Sequence, residues 1–290
     1  MTNWDTISAA ISSATNRSFA LHNSTPVGGG SINQVFRLEG ADGLRYFLKL
    51  NDAQHLQMFV AEAAGLAAIA ATNTVRVPDP IVHGTADRQS YLVLEHLELG
   101  GRSNARLLGE QLAALHLHTN TQFGFSQDNF IGTNPQPNGW KADWIDFWRK
   151  RRLGFQLRLA KQIGYGGKLQ TLGEKLLDAL PAFFDGYTPQ PSLLHGDLWS
   201  GNHGYLADGT PTIFDPASYF GDRECDLAMT ELFGGYSGDF YAAYHAAYPL
   251  DAGYAKRKVL YNLYHIINHA NLFGGGYARQ AEGMMRGLLS

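Results

Sequence analysis

The segment Phe47-Leu48-Lys49-Leu50 places an ammonium inside an apolar run with the composition of a strand. A charge in that setting is costly unless it is paired. The next element, Met58 to Ala71, is alanine-rich, poor in β-branched residues and free of proline, which predicts a helix. It carries one carboxylate, Glu62, again among apolar neighbours (F-V-A-E-A-A-G-L). Each charge is odd alone, and one buried ion pair accounts for both. The plainer alternatives are a lysine that snorkels from a sheet edge and a glutamate on a solvated helix face.

The rest of the chain supplies a frame for such a pair. Residues 4 to 17 suit a short helix, and S-F-A-L-H-N-S-T-P-V alternates like a strand. Gly28-Gly29-Gly30 follows, then a strand around Val35, Phe36 and Leu38. Gly40 to Gly43 reads as a turn into the strand 44 to 50, and two more strands, I-V-H-G and Y-L-V-L-E-H-L, flank a turn at Asp87. Gly100-Gly101 marks a boundary, which gives an N-terminal lobe over 1–99 and a C-terminal lobe over 100–290. The second lobe reads as mostly helical. Leu107, Leu108, Leu112 and Leu115 form a stripe in 104–118, Trp140, Trp144 and Trp148 recur every four residues, and helices are expected over 168–185, 226–249 and 255–272. The tryptophan stripe is read as packing. A β-rich lobe with one main helix and a helical lobe make an α+β fold with a cleft for ligands.

Composition excludes several classes. The 290 residues are 44% hydrophobic, so a packed core is expected. A formal charge of -3 with no long run of one sign argues against a nucleic-acid partner. The opening M-T-N-W-D-T-I-S-A-A has neither the basic nor the apolar region of a secretory signal. The weakly polar run 63–71 is short of the ~20 residues that span a membrane. One cysteine, Cys225, fits a reducing, cytoplasmic setting. His116 and His118 resemble a metal pair, but no third ligand is placed, and a pair on a helix surface is the preferred reading.

Residues 195–202 read H-G-D-L-W-S-G-N, and Asp208-Gly209 signals a hairpin just beyond. Folding the chain about the midpoint of 208 and 209 sets Asn202 opposite Asp215. Asp197 lies on the loop just before. Such oxygen donors suit Mg²⁺, which takes one or two protein groups plus phosphate oxygens and water. The spacing D-x-x-x-x-N matches a kinase catalytic loop, with Asp197 as the base that orients an attacking hydroxyl and Asn202 on the metal. Asp215 stands where a second metal-binding aspartate belongs, although Pro216-Ala217 follows it instead of Phe-Gly. A structural hairpin with solvated ends is the alternative for this stretch alone. The first lobe adds the remaining parts in order. Gly28, Gly29, Gly30 and Ser31 lie between two strands as a phosphate loop, Lys49 is on the third strand, and Glu62 is on the next helix. Together these predict a bilobal, protein-kinase-like fold that binds ATP and Mg²⁺. Glu95 and Leu97 close the last strand, where adenine would meet backbone groups.

The stretches G-G-G-S-I-N-Q-V-F, F-L-K-L-N, F-G-F-S-Q-D-N-F-I-G, H-G-D-L-W-S-G-N, F-D-P-A-S-Y-F-G-D-R-E-C-D-L-A and Y-N-L-Y-H-I-I-N-H-A-N-L-F-G-G-G-Y carry a resemblance. Across its whole length the chain resembles the fructosamine-kinase (ketosamine-3-kinase) family, within the aminoglycoside-phosphotransferase-like kinases. The resemblance implies transfer of the ATP γ-phosphate to the 3-hydroxyl of a ketosamine, free or protein-linked. The 3-phosphate destabilises the adduct and releases the amine, a repair of glycation. Some members of that family have cysteine where this chain has Ser31, so no redox switch is implied there.

On the substrate side, Trp199 is read as stacking on the sugar or amine, with packing as the alternative. Asp128 and Asn129 either face the substrate or shape the lobe junction. Glu224 and Asp226 are read as structural anchors. Tyr261, His265 and Asn268 share a helix face, which is either solvated or, as the resemblance suggests, a substrate wall. Two rivals remain: another small-molecule kinase acting on an aminoglycoside, choline or homoserine, and a nucleotide-binding module without catalysis.

Overall fold

The computed structural model describes residues 2–28 and 32–290; Met1 and three expected phosphate-loop residues, Gly29, Gly30 and Ser31, lie outside the described residues. In chain order the elements begin with α1 (Trp4–Thr15), β1 (Leu21–Pro26), β2 (Gln34–Gly40), β3 (Arg45–Asp52), α2 (Leu56–Ala70), β4 (Pro80–Ala86) and β5 (Gln89–Glu95). They continue with α3 (Ala105–His116), β6 (Asn129–Ile131), β7 (Asn134–Gln136), α4 (Trp144–Phe147), α5 (Gly154–Gln162), α6 (Lys168–Ala179) and β8 (Ser192–Leu194). The last are β9 (His203–Tyr205), β10 (Pro211–Ile213), β11 (Tyr219–Gly221), α7 (Glu224–Leu232), α8 (Gly238–Ala247), α9 (Tyr254–Phe273) and α10 (Tyr277–Leu289). Two compact units result, Met1–Asn104 with Gly204–Asp215, and Ala105–His203 with Pro216–Ser290.

The first unit is built on a five-stranded antiparallel sheet in the order β1-β2-β3-β5-β4. Side chains alternate faces along a strand. Tyr46, Leu48 and Leu50 of β3 therefore share one face, where they join Ile7 and Ile11 of α1, Leu38 and Val93 in a buried cluster. Lys49 points to the other face by the same alternation, paired in register with Val35 and Leu92. Asn3 caps α1 by accepting from the Thr6 N–H at 3.1 Å. The turn between β4 and β5 is at Asp87, in a left-handed conformation with φ 54°.

The β9–β10 hairpin belongs with this unit, whereas a single cut after residue 99 leaves it with the helices. The reason is backbone hydrogen bonding. The Tyr205 carbonyl accepts from the N–H groups of Gly100 and Gly101, and the Ile213 N–H donates to the Arg76 carbonyl at 3.0 Å.

The second unit is helical, with α9 as its spine. Leu260, Leu263, Ile266 and Ile267 of α9 are fully buried. Trp144 and Trp148 are buried against Tyr261, with ring centroids 6.2 and 4.9 Å away. Trp140, expected on the same helix face, lies outside any helix and is 39% exposed. The helix starts only at Trp144 because Asp143 caps it, accepting from the Asp146 N–H at 2.6 Å. Residues 148–153 then wind as a π-helix. The single helix expected over 226–249 is two, α7 and α8, broken at Gly234 and Gly235 with φ 92° and 70°. The helix expected over 168–185 ends at Ala179 and tightens into a 3₁₀ turn that contains Pro181.

Tyr261, His265 and Asn268 do share a face, but it is not solvated; all three are buried. Tyr261 donates its hydroxyl to Asp222 and accepts from the Trp144 indole N–H, while the Asn268 oxygen accepts from Asn134 and Gln156. Burial, with His269 beside it, holds the His265 imidazole down to about 3. In the unfolded chain it returns to its ordinary value of about 6.5. As pH falls below that value, the unfolded chain takes up a proton that the folded chain refuses, so stability declines toward acid. His265→Gln should therefore show a shallower loss of Tm than the parent between about pH 7 and about pH 5. An unchanged slope in a thermal-melt series would contradict this.

Candidate active site

In the first unit, the Lys49 ammonium lies 2.6 Å from Glu62 Oε1 and 2.6 Å from Asp215 Oδ1. Lys49 is 3% exposed. Burial by itself would lower its pKa, but attraction to Asp215 and then Glu62 outweighs that and holds it above the ordinary lysine range. The lysine is thus fixed as a cation by two carboxylates from opposite ends of the sequence. Asp215 sits at the end of the hairpin with φ 60°, a left-handed conformation that aspartate adopts more readily than most residues. Its side chain is about half exposed.

Gly28, the described glycine of the expected phosphate loop, is exposed, and no atom lies within 4 Å of where its Cβ would be. Just before β2, Asn33 Oδ1 accepts from the Asn51 amide near the end of β3 at 2.8 Å. Sequence reasoning missed that tie. Glu95 closes β5, and its carboxylate is gripped by the Arg76 guanidinium and accepts from the Asp79 N–H at 3.2 Å. Its side chain is thereby engaged, and its own N–H donates to the Asp79 carbonyl at 2.8 Å. Leu97 is half-buried in the open segment after β5.

In the second unit, β8 runs into the loop that carries Asp197. Asp226 of α7 holds the start of that loop, with Oδ2 accepting from the His195 N–H at 2.7 Å and Oδ1 from the Gly196 N–H at 2.8 Å. Burial pushes the Asp226 carboxyl up, but the hydrogen bond and charge of His116, with help from Gly196, hold it below its ordinary value. His116 is not a surface residue paired with His118. It is fully buried, 3.2 Å from Asp226 and 2.8 Å from the Tyr244 hydroxyl, whereas His118 is exposed. Gly196 has φ 85°, and a Cβ there would lie 2.2 Å from the Ala217 carbonyl oxygen, so only glycine fits. The Ala217 N–H donates to the His195 carbonyl at 2.9 Å and closes the loop from the other side. The Asp197 N–H donates to His195 Nδ1 at 3.2 Å, which makes that nitrogen the acceptor.

Asn202 is buried and donates its amide N–H to the Asp197 carbonyl at 2.9 Å. The amide is oriented by that bond, and its oxygen is a hard donor, as is the Asp215 carboxylate. Oxygen donors of this kind are the type that Mg²⁺ takes. Trp199 is 38% exposed and its ring lies over Gly201, where a Cβ would come within 2.2 Å of it. Asp128 is exposed and accepts from the Asn138 N–H at 2.7 Å. His265 and Asn268 are enclosed in the core. His269, one turn on from His265 along the same helix, is half-buried with its ring 4.8 Å from Phe233 and 5.2 Å from Tyr277.

Residues 3–290 match the model of the fructosamine kinase family. The chain is 48% identical to a probable ketoamine kinase of Synechocystis, over 98% of this chain and 96% of that protein. It is 42% identical to a chloroplastic protein-ribulosamine 3-kinase of Arabidopsis thaliana, over 88% of this chain and 79% of that protein. A crystal structure of a putative fructosamine-3-kinase from Haemophilus somnus superimposes with a TM-score of 0.90 at 29% identity, over 99% of this chain and 98% of that one. The bilobal kinase fold expected from the sequence is therefore the fold of this chain, and the chain belongs to the fructosamine kinase family.

Proposed function

We propose that this protein is an ATP-dependent ketosamine 3-kinase that phosphorylates the 3-hydroxyl of ribulosamine- or fructosamine-type adducts. The observation that carries the reading is the loop from Asp197 to Asn202, held at its root by Asp226 and cross-braced by the Asn202 amide. A carboxylate fixed in this way suits a group that must meet one hydroxyl. The relatives named ketoamine kinase and protein-ribulosamine 3-kinase support the choice of acceptor. The single, buried Cys225 fits a cytoplasmic setting.

In this reading Lys49 binds the α- and β-phosphates of ATP, and Glu62 keeps it aimed. The glycine loop around Gly28 offers backbone N–H groups to the phosphates, and the backbone at Glu95 and Leu97 receives the adenine. Asn202 and Asp215 would hold Mg²⁺, which supplies charge neutralisation on the phosphates when bound. Asp197 accepts the proton of the acceptor hydroxyl as its oxygen attacks the γ-phosphorus, and the bond to the ADP oxygen breaks. Trp199 offers an exposed ring face to the sugar or amine. Asp128, His265 and Asn268 shape the surroundings from fixed positions.

The testing experiment measures ADP release from Mg-ATP with ribulose-lysine, fructose-lysine, choline and an aminoglycoside as acceptors. Turnover confined to the ketosamines is expected; turnover with choline or the aminoglycoside alone would replace the substrate assignment. Asp197→Ala should lower turnover by about 100- to 10,000-fold and leave ATP affinity within about 3-fold. Trp199→Ala should raise KM for the ketosamine at least about 5-fold more than KM for ATP, as expected when one stacking face is lost. Equal effects on both would make it a packing residue.

A further inference from the structure

Asp226 holds the Asp197 loop from one side. The other side is the Ala217 peptide. Its N–H donates to the His195 carbonyl, and its oxygen abuts Gly196 so closely that a Cβ would collide at 2.2 Å. What fixes that peptide is a side chain distant in sequence. Gln136, at the end of β7, donates its amide N–H to the Ala217 carbonyl at 3.0 Å and to Asn129 Oδ1 at 2.8 Å. Asn129, across the β6–β7 pair, donates to the next carbonyl, Ser218, at 2.8 Å.

This pair of amides is itself held. Asn138 donates to Asn129 Oδ1 at 2.9 Å, and Arg152 donates to Asn138 Oδ1 at 2.7 Å. Arg152 is fully buried on the π-helical segment, with its guanidinium 3.9 Å from the Tyr219 ring centroid and 4.6 Å from that of Phe147. A single π-helical segment inside a longer helix is a feature often found near functional sites. The amide chain ends on the carbonyls of Ala217 and Ser218, the first of which abuts Gly196 of the Asp197 loop. A core that needed only apolar filling would not spend three amides and a buried guanidinium on two backbone oxygens, because every such group must be satisfied.

We propose that Gln136, backed by Asn129, Asn138 and Arg152, is a positioning residue for phosphoryl transfer: it fixes the Ala217 carbonyl and through it the Asp197 loop. This rests on the kinase reading above. A loop displaced by a fraction of an ångström loses alignment for attack while still binding its substrates.

The test compares Gln136→Met with Tyr264→Phe. Gln136→Met removes the amide itself and Tyr264→Phe removes the hydroxyl that donates to Gln136 Oε1 at 2.6 Å, so both break that bond but only the first removes the donor to Ala217. Gln136→Met should lower kcat per folded molecule about 10- to 100-fold, with KM for ATP and ketosamine within about 3-fold. Its Ala217 and Gly196 amides should exchange hydrogen at least about 10-fold faster than in the parent. Tyr264→Phe should lower Tm while holding kcat and these exchange rates within about 2-fold of the parent. Unchanged exchange in Gln136→Met, or equal loss of kcat and protection in both variants, would overturn the proposal. If the parent shows no turnover, the kinase reading has failed, and the exchange rates still decide whether Gln136 holds the loop.

Discussion

One ammonium ties the first unit together. Lys49 stands between Glu62 of α2 and Asp215 at the end of the β9–β10 hairpin, at 2.6 Å from each. A buried lysine without partners would shed its proton, and breaking one side of such a pair typically costs about 3–5 kcal/mol. The strand, the helix and the hairpin are therefore fixed relative to one another by charge as well as by apolar packing. The same arrangement leaves a cation of fixed position beside a half-exposed aspartate.

The second unit solves a matching problem with the opposite sign. Asp226 is a carboxylate buried inside a helical core, and it is satisfied by two backbone N–H groups and an imidazole. Those N–H groups belong to His195 and Gly196, so keeping the carboxylate satisfied and holding the Asp197 loop are one act. The loop cannot relax without exposing a buried charge to unpaired surroundings, a penalty of several kcal/mol on the scale of about 3–5 kcal/mol for breaking a buried pair. In both units a structural tie rests on an ionised group that the core alone would not tolerate.

The legible parts were those in which a residue contradicts its own neighbourhood. Lys49 in an apolar strand and Glu62 in an alanine-rich helix announce each other, and the pair is there. The Asp208-Gly209 turn announces its hairpin, with Asp208 Oδ1 accepting from the Thr210 N–H. What stayed hidden depends on long-range closure. His116 meets Asp226 across 110 residues, and Asp226 meets His195 across 31. The helix α3 ends at His116, so His116 faces the core from its last turn while His118 lies beyond the helix and is exposed, a boundary that spacing could not place. The polar face of α9 looked solvated because its partners, Asp222, Asn134 and Gln156, lie on other elements. Trp140 fell outside its helix because a single cap at Asp143 outweighed a regular period of four.

In the proposed kinase reading, Glu62 acts on ATP only through Lys49. A double-mutant cycle of Lys49→Met, Glu62→Gln and the two combined, read by calorimetric ATP affinity in the presence of Mg²⁺, tests that directly. The double variant should bind ATP as Lys49→Met alone does, within about 0.5 kcal/mol, because Glu62 has nothing left to aim. Losses that simply add would show two independent contributions and contradict it.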